Sequence, residues 1–173
     1  MVRHMADERD DVIIDYPNRD KAASKATKAV VILLLLLSAF LTAVILLGGW
    51  DAQQGMQFVT IAYIGLYVLM AFLVLRWRSG VLPVIAALAM IMGIFAAVAG
   101  PEWFQRDKEG FTSPAIDENV LGMLTLLMVP LQVLLIAFAM SGFRQAWHVE
   151  VERPAHGRRG DWDDRGGATP ATA

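Results

Sequence analysis

The chain contains no cysteine. That excludes disulfides, thiolate catalysis and thiolate-held iron–sulfur clusters. It has only three histidines, His4, His148 and His156, and none of them lies in an apolar run. A membrane cytochrome holds its haem through axial ligands, most often histidine, so a haem reading has nothing to stand on. Charge is also scarce: 18% of the 173 residues are Asp, Glu, Lys or Arg, against about 25% in an ordinary soluble domain. The shortage is concentrated. Residues 29–50, 57–75, 81–100 and 120–143 hold no Asp, Glu, Lys, Arg or His at all. Ion paths, proton relays and polar-substrate sites inside a membrane are marked by ionisable side chains, and these four runs offer none. No glycine-rich phosphate loop is present, and Ser38, within the first run, has no ionisable partner at its depth. The net charge of −2 and the lack of a basic, aromatic-interleaved patch give no reason to expect nucleic acid.

What is present is apolar length. Each of the four runs approaches the ~20 residues that cross a hydrocarbon core. The expected fold is an all-α integral membrane protein, an antiparallel four-transmembrane-helix bundle, because short links force neighbouring helices antiparallel. Its membrane domain covers 18–150, between disordered cytoplasmic tails at 1–17 and 151–173, whose Gly, Pro and charge content cannot support a core. Asn18 is placed to cap a helix starting at Arg19, and Pro83 falls in the first turn of the third helix, where a missing N–H does no harm. The first run ends in GGWDAQQ, without a small-residue cleavage site, so it is expected to stay as an anchor.

Orientation follows from Lys and Arg. With the N-terminus inside, thirteen of them lie on the cytoplasmic side and two, Arg106 and Lys108, outside, a strong positive-inside bias. Trp50 and Trp103 then fall at the outer interface and Trp77 and Trp147 at the inner one, where amphipathic indoles serve as anchors. Segment 100–119 becomes the outer link between helices three and four, with a helix start at Ser113–Pro114 and with Asp117 and Glu118 in its first turns, complementing the helix dipole. The excess of Arg over Lys, eleven to four, with abundant Ala, points to a bacterial plasma membrane.

A few residues inside the spans carry polarity or shape. Ser38, Tyr63, Tyr67 and Gln132 form a candidate midplane polar cluster. A glutamine at that depth is expected to face protein, where an interhelical hydrogen bond contributes roughly 0.6–2 kcal/mol. Pro130 frees the carbonyl of Leu126 nearby. Ala89, Gly93 and Ala97 recur every fourth residue and read as a small-residue helix-packing face. In the tail, His148, Glu150, Glu152 and His156 lack the i, i+4 spacing of a helical metal pair, and Asp107, Glu109, Asp117 and Glu118 do not match a calcium loop. No metal, cofactor or catalytic set is expected. The reading is a non-enzymatic small membrane protein, an accessory or scaffolding subunit acting by protein–protein contact. Its partners would be the lipid bilayer and either a membrane protein or further copies of itself. The alternative is a small oligomeric transporter or pore using the midplane cluster.

Overall fold

A computed structural model describes residues 12–15, 17–53, 55–106, 114–147 and 149–154. Two compact units are distinguished, one made of residues 18–149 and one of the two chain ends. The first unit is all-helical. Its four long helices are α1 (Ala22–Gly48), α2 (Gln57–Leu75), α3 (Leu82–Trp103) and α4 (Glu118–Arg144). All four are long and apolar enough to cross a membrane. At 1.5 Å per residue, the 27 residues of α1 and of α4 extend about 40 Å. Large apolar side chains such as Leu33, Phe40, Phe58, Met123 and Val133 point outward, while Ser38, Thr42, Thr125 and Gln132 are buried. That inversion suits a lipid solvent.

The helix boundaries have local causes. Residues Pro17–Asp20 form a separate helical turn, and α1 proper begins at Ala22 after Lys21 adopts an extended conformation. The expected start at Arg19 is therefore displaced by three residues, and the side chain of Asn18 lies outside the description. Gly55, at φ +83°, turns the chain into α2 in a conformation that glycine adopts without strain. Pro83 sits in the first turn of α3. The start of α4 is corrected. Its cap is Asp117, whose carboxylate accepts from the Asn119 N–H at 2.9 Å, while Pro114 lies in irregular chain and Ser113 lies outside the described residues. A carboxylate accepts an orphan N–H and also meets the positive end of the helix dipole, so Asp117 prevails as the cap.

Packing follows a seven-residue period. On α3 the buried stripe is Leu82, Ala86, Ala89, Ala96, Gly100 and Trp103, with Gly93 half-buried between them and Ile85 buried beside it. On α4 they include Leu121, Thr125, Met128, Gln132, Leu135, Ala139 and Gly142. Alternating steps of three and four keep a stripe on one side of the helix and are the pattern of left-handed supercoiled packing. Ala97 falls off this stripe and is exposed, so the expected face Ala89–Gly93–Ala97 is replaced by Ala86–Ala89–Gly93–Ala96–Gly100. A strict four-residue repeat drifts by about 40° per step on a 3.6-residue helix, which carries Ala97 away from the contact.

The small stripe of α3 lies against α4, the most extensive helix pairing in the unit. A Cβ on Gly100 would lie 2.5 Å from the Leu126 side chain, whereas one on Gly93 would meet Gln132 at an ordinary 3.4 Å. Helix α1 packs against both α2 and α4, but α2 and α3, consecutive in sequence, barely touch. The order around the bundle is α2–α1–α4–α3, with an open seam between the first and last.

In the second unit, Val12–Asp15 pairs antiparallel with Val151–Pro154, with Val12 opposite Pro154 and Asp15 opposite Val151. Fully disordered tails were expected, and at these eight residues the expectation fails. Composition averaged over a tail hides a four-residue stretch such as VIID, rich in β-branched residues that favour extended chain. Residues 1–11 and 155–173, which hold most of the rest of the predicted tails and His156, lie outside the described residues, as do His148 and residues 107–113.

Candidate functional site

Three of the four predicted midplane residues are joined. The Tyr67 hydroxyl donates to Gln132 Oε1 at 2.9 Å, and Gln132 Nε2 donates to Ser38 Oγ at 3.1 Å. The chain of bonds links α2, α4 and α1. All three residues are at most 1% exposed. Among the described residues no buried side-chain nitrogen or oxygen lacks a partner. The hydroxyls of Thr42 and Thr125 are likewise spent, each on the carbonyl four residues earlier at 2.7 Å. Tyr63 stands apart from this relay. Its ring meets Tyr67 edge-on at 5.9 Å and Phe95 of α3 at 6.5 Å, and its hydroxyl makes no hydrogen bond among the described residues.

The seam between α2 and α3 opens into a cavity of about 720 Å³, within the roughly 300–1,000 Å³ of small-molecule sites. Tyr63 is on its wall, with Met92 and Phe95 from α3, Ile45 from α1 and Met128 from α4. Asp51, Glu102 and Arg106 lie at its end, beside the 49–56 and 101–106 turns. The Arg106 guanidinium donates to the carbonyl of Ala52 at 3.0 Å and lies 4.8 Å from the Trp103 ring centroid. These three charged residues were not singled out from the sequence. The available signal was that Asp51 and Glu102 follow directly on two span ends that an antiparallel bundle brings to the same side.

The same end is tied together more firmly than a solvated link requires. The Ile116 N–H donates to the Gly48 carbonyl at 3.2 Å. Trp103 is 5% exposed and packs with Ala52, Leu121, Ile45 and Ile116. Gly48 and Gly49 leave the necessary room, since a Cβ on either would lie within 2.6 Å of Ile116 or Trp103.

The four tryptophans expected at the interfaces therefore divide. Trp50 is 45% exposed and free to anchor, whereas Trp103 at 5% and Trp147 at 0% are not offered to lipid, which corrects their reading as interface anchors. Trp147 is drawn in because Ala146, at φ 48°, turns the chain back beneath α4. Its indole then rests on Gly142 and meets Trp77 edge-on at 5.4 Å. The indole N–H donates to Gln145 Oε1 at 3.0 Å, and Gln145 Nε2 donates to Thr27 Oγ1 at 2.9 Å. Trp77 is half-buried and ends α2 in a left-handed conformation at φ 60°, with Trp77 N–H on the Val74 carbonyl and Arg78 N–H on that of Leu73. Glycine usually fills this position. Lys28 Nζ stands 3.9 Å from the Trp77 ring centroid.

No group of three or more His, Asp or Glu arranged to hold a metal occurs among the described residues. No protein-family model, no curated protein and no solved structure matches this chain.

Proposed function

We propose that the chain is a non-enzymatic integral membrane protein that works by binding in the plane of the bilayer, as an accessory or scaffolding subunit does. Its four spans would place both termini on the cytoplasmic face of a bacterial plasma membrane, in line with the thirteen-to-two distribution of Lys and Arg. One observation carries the reading. Ser38, Tyr67 and Gln132 are spent on one another, while the α2–α3 seam stays open to a neighbour. A reactive site keeps groups poised for substrate; here the poised feature is a lateral surface.

The alternative of a small oligomeric transporter or pore draws its support from Tyr63, the cluster member on the cavity wall. The two readings separate on reconstitution of the full chain. Binding predicts a companion that co-purifies in mild detergent and no solute flux in liposomes. Flux that disappears in Gln132→Leu, in a variant that keeps its fold, would overturn the binding reading.

A further inference from the structure

The end of the bundle away from the cavity mouth carries a fixed cation without a counter-ion. Lys28 is the last charged residue before the apolar run 29–50, and Arg76 is the first after 57–75. Both therefore stand where α1 and α2 leave the hydrocarbon. The two helices pack on each other. Lys28 is half-buried, and its Nζ stands 3.9 Å from the Trp77 ring centroid. Among the described residues that ammonium has no hydrogen-bond acceptor and no carboxylate within ion-pair distance. Asp20, the carboxylate closest to it in sequence, is held by Lys25 at 3.4 Å.

The platform under Lys28 is strained into place. Trp77 has φ 60°, and Ala146, which delivers Trp147, has φ 48°. Residues other than glycine seldom hold this conformation, and where their surroundings force it, they concentrate at ligand clamps and switches. Here both fall at one end of the bundle, and the two indoles they set meet edge-on at 5.4 Å. Trp147 is buried, and Gln145 ties it to Thr27, the residue before Lys28. The ammonium thus rests on a braced ring. Beside it, the Arg76 guanidinium lies 4.7 Å from the ring centroid of Phe72, an exposed residue of α2. Arg76 has no ion pair among the described residues either.

We infer that this α1–α2 edge holds the phosphate of one anionic phospholipid. The Lys28 ammonium donates to the phosphate oxygens, Arg76 adds its charge, and an acyl chain lies along α2 beside Phe72 and Leu69, both exposed. Basic pockets between transmembrane helices recognise anionic heads in this way. Depth selects a lipid over a soluble anion, because Lys28 and Arg76 lie level with the ends of two apolar runs, where the phosphodiesters of a leaflet are concentrated. A zwitterionic head would bring a further cation to two that no carboxylate balances. The α2–α3 seam has no part in the site, so the assignment stands or falls independently of the proposed function.

The test uses the full chain reconstituted in vesicles of phosphatidylglycerol, phosphatidylethanolamine and phosphatidylcholine in equal amounts with identical acyl chains. The protein is extracted in mild detergent, and the lipid it retains is measured by native mass spectrometry. Phosphatidylglycerol should be enriched about fivefold over either other lipid, the scale of one basic side chain at an anionic surface. Lys28→Gln should bring the enrichment below about twofold, and Lys28→Arg, which keeps the charge, should preserve it. Arg76→Gln alters an exposed residue and should about halve the enrichment; it carries the test if Lys28→Gln does not fold. Arg144→Gln removes an equal charge from the exposed end of α4 and should change little. Equal retention of the three lipids overturns the assignment, as does a preference that survives both Lys28→Gln and Arg76→Gln. A preference lost equally in Arg144→Gln would reveal diffuse charge in place of a site and overturns it too. An excess of inorganic phosphate should leave the retained lipid in place; displacement would hand the site to a soluble anion and overturn the lipid assignment.

Discussion

Replacing Gln132 by leucine removes both bonds that tie α1, α2 and α4 at mid-depth. Hydrogen bonds between membrane helices average about 0.6 kcal/mol and reach about 1.7, so the two bonds account for roughly 1 kcal/mol. The two hydroxyls left behind, the Tyr67 donor and the Ser38 acceptor, are not equivalent. Ser38 sits in a helix and its hydroxyl can turn to the carbonyl of Leu34, as Thr42 already does to Ser38 at 2.7 Å. The Tyr67 hydroxyl, on a side chain 0% exposed, has no such alternative, and a stranded buried group costs about 1–3 kcal/mol. Gln132→Leu should therefore destabilise by about 2 kcal/mol, read as a shift in unfolding midpoint in mixed micelles. The decisive measurement is the double-mutant cycle with Tyr67→Phe. Alone, Tyr67→Phe should cost about 1 kcal/mol. Added to Gln132→Leu it removes the stranded hydroxyl, so the double variant should be no less stable than Gln132→Leu alone. Strict additivity of the two substitutions would refute the relay as a stabilising unit.

The small-residue stripe predicts a contrast. Gly93→Ala meets only ordinary contact and gains helix propensity, so it should be neutral or stabilise by up to about 1 kcal/mol, while Gly100→Ala, blocked by Leu126 at 2.5 Å, should lower the thermal midpoint; a reversed order would displace α3 from its assigned contact. Trp77→Gly releases left-handed strain of about 1 kcal/mol but loses the Trp147 and Lys28 contacts, so a net loss of stability in detergent is expected, and a gain would mean that the indole contributes nothing. A periplasm-active reporter fused after Gly110 should give signal and one fused after Gly80 should not; the opposite pattern would invert the proposed orientation.

The four long apolar helices were legible because a hydrocarbon core demands both length and apolar composition, and the observed helices contain almost all of the predicted runs. The inward placement of Gln132 was legible for the same reason, since an amide in lipid has no other outlet. Its partners are a matter of depth. Ser38 and Tyr67 fall level with it when the helices alternate in direction, and both are bonded to it. Tyr63 lies one turn from Tyr67 on the same helix, yet faces the cavity instead. Depth alone does not resolve that rotation. The tryptophans mislead through a related gap. Composition assigns an indole to the headgroup zone, but whether it meets lipid or protein is decided by a turn such as that at Ala146, which no residue type announces.

Helix order is the part that local sequence does not carry, and the site depends on it. A short link fixes that α2 and α3 run antiparallel, but it does not oblige them to pack. Contact is allotted by how closely backbones can approach. Helix α3 spends its small stripe on α4, and α4 answers with Gly122 beneath Phe104 and Gly142 beneath Leu82. Helix α1 buries the broadest face, from Ser24 to Gly48, and holds α2 and α4 on its two sides. With α4 between α1 and α3, the remaining edge of α2 has no helix to meet. The largest side chains at the gap are Tyr63, with Val59 and Thr60, on one side and Phe95 and Val98 on the other, where Ala96 and Ala99 lie beside them. Side chains of that size hold two backbones apart, where Ala and Gly would draw them together. If the seam is open for this reason, replacing Phe95 and Val98 with alanine should let α2 and α3 close, which a pair of spin labels on the two helices would read as a shorter distance. A doubly substituted chain that folds and keeps the original distance would show that the gap is kept open by something other than these side chains.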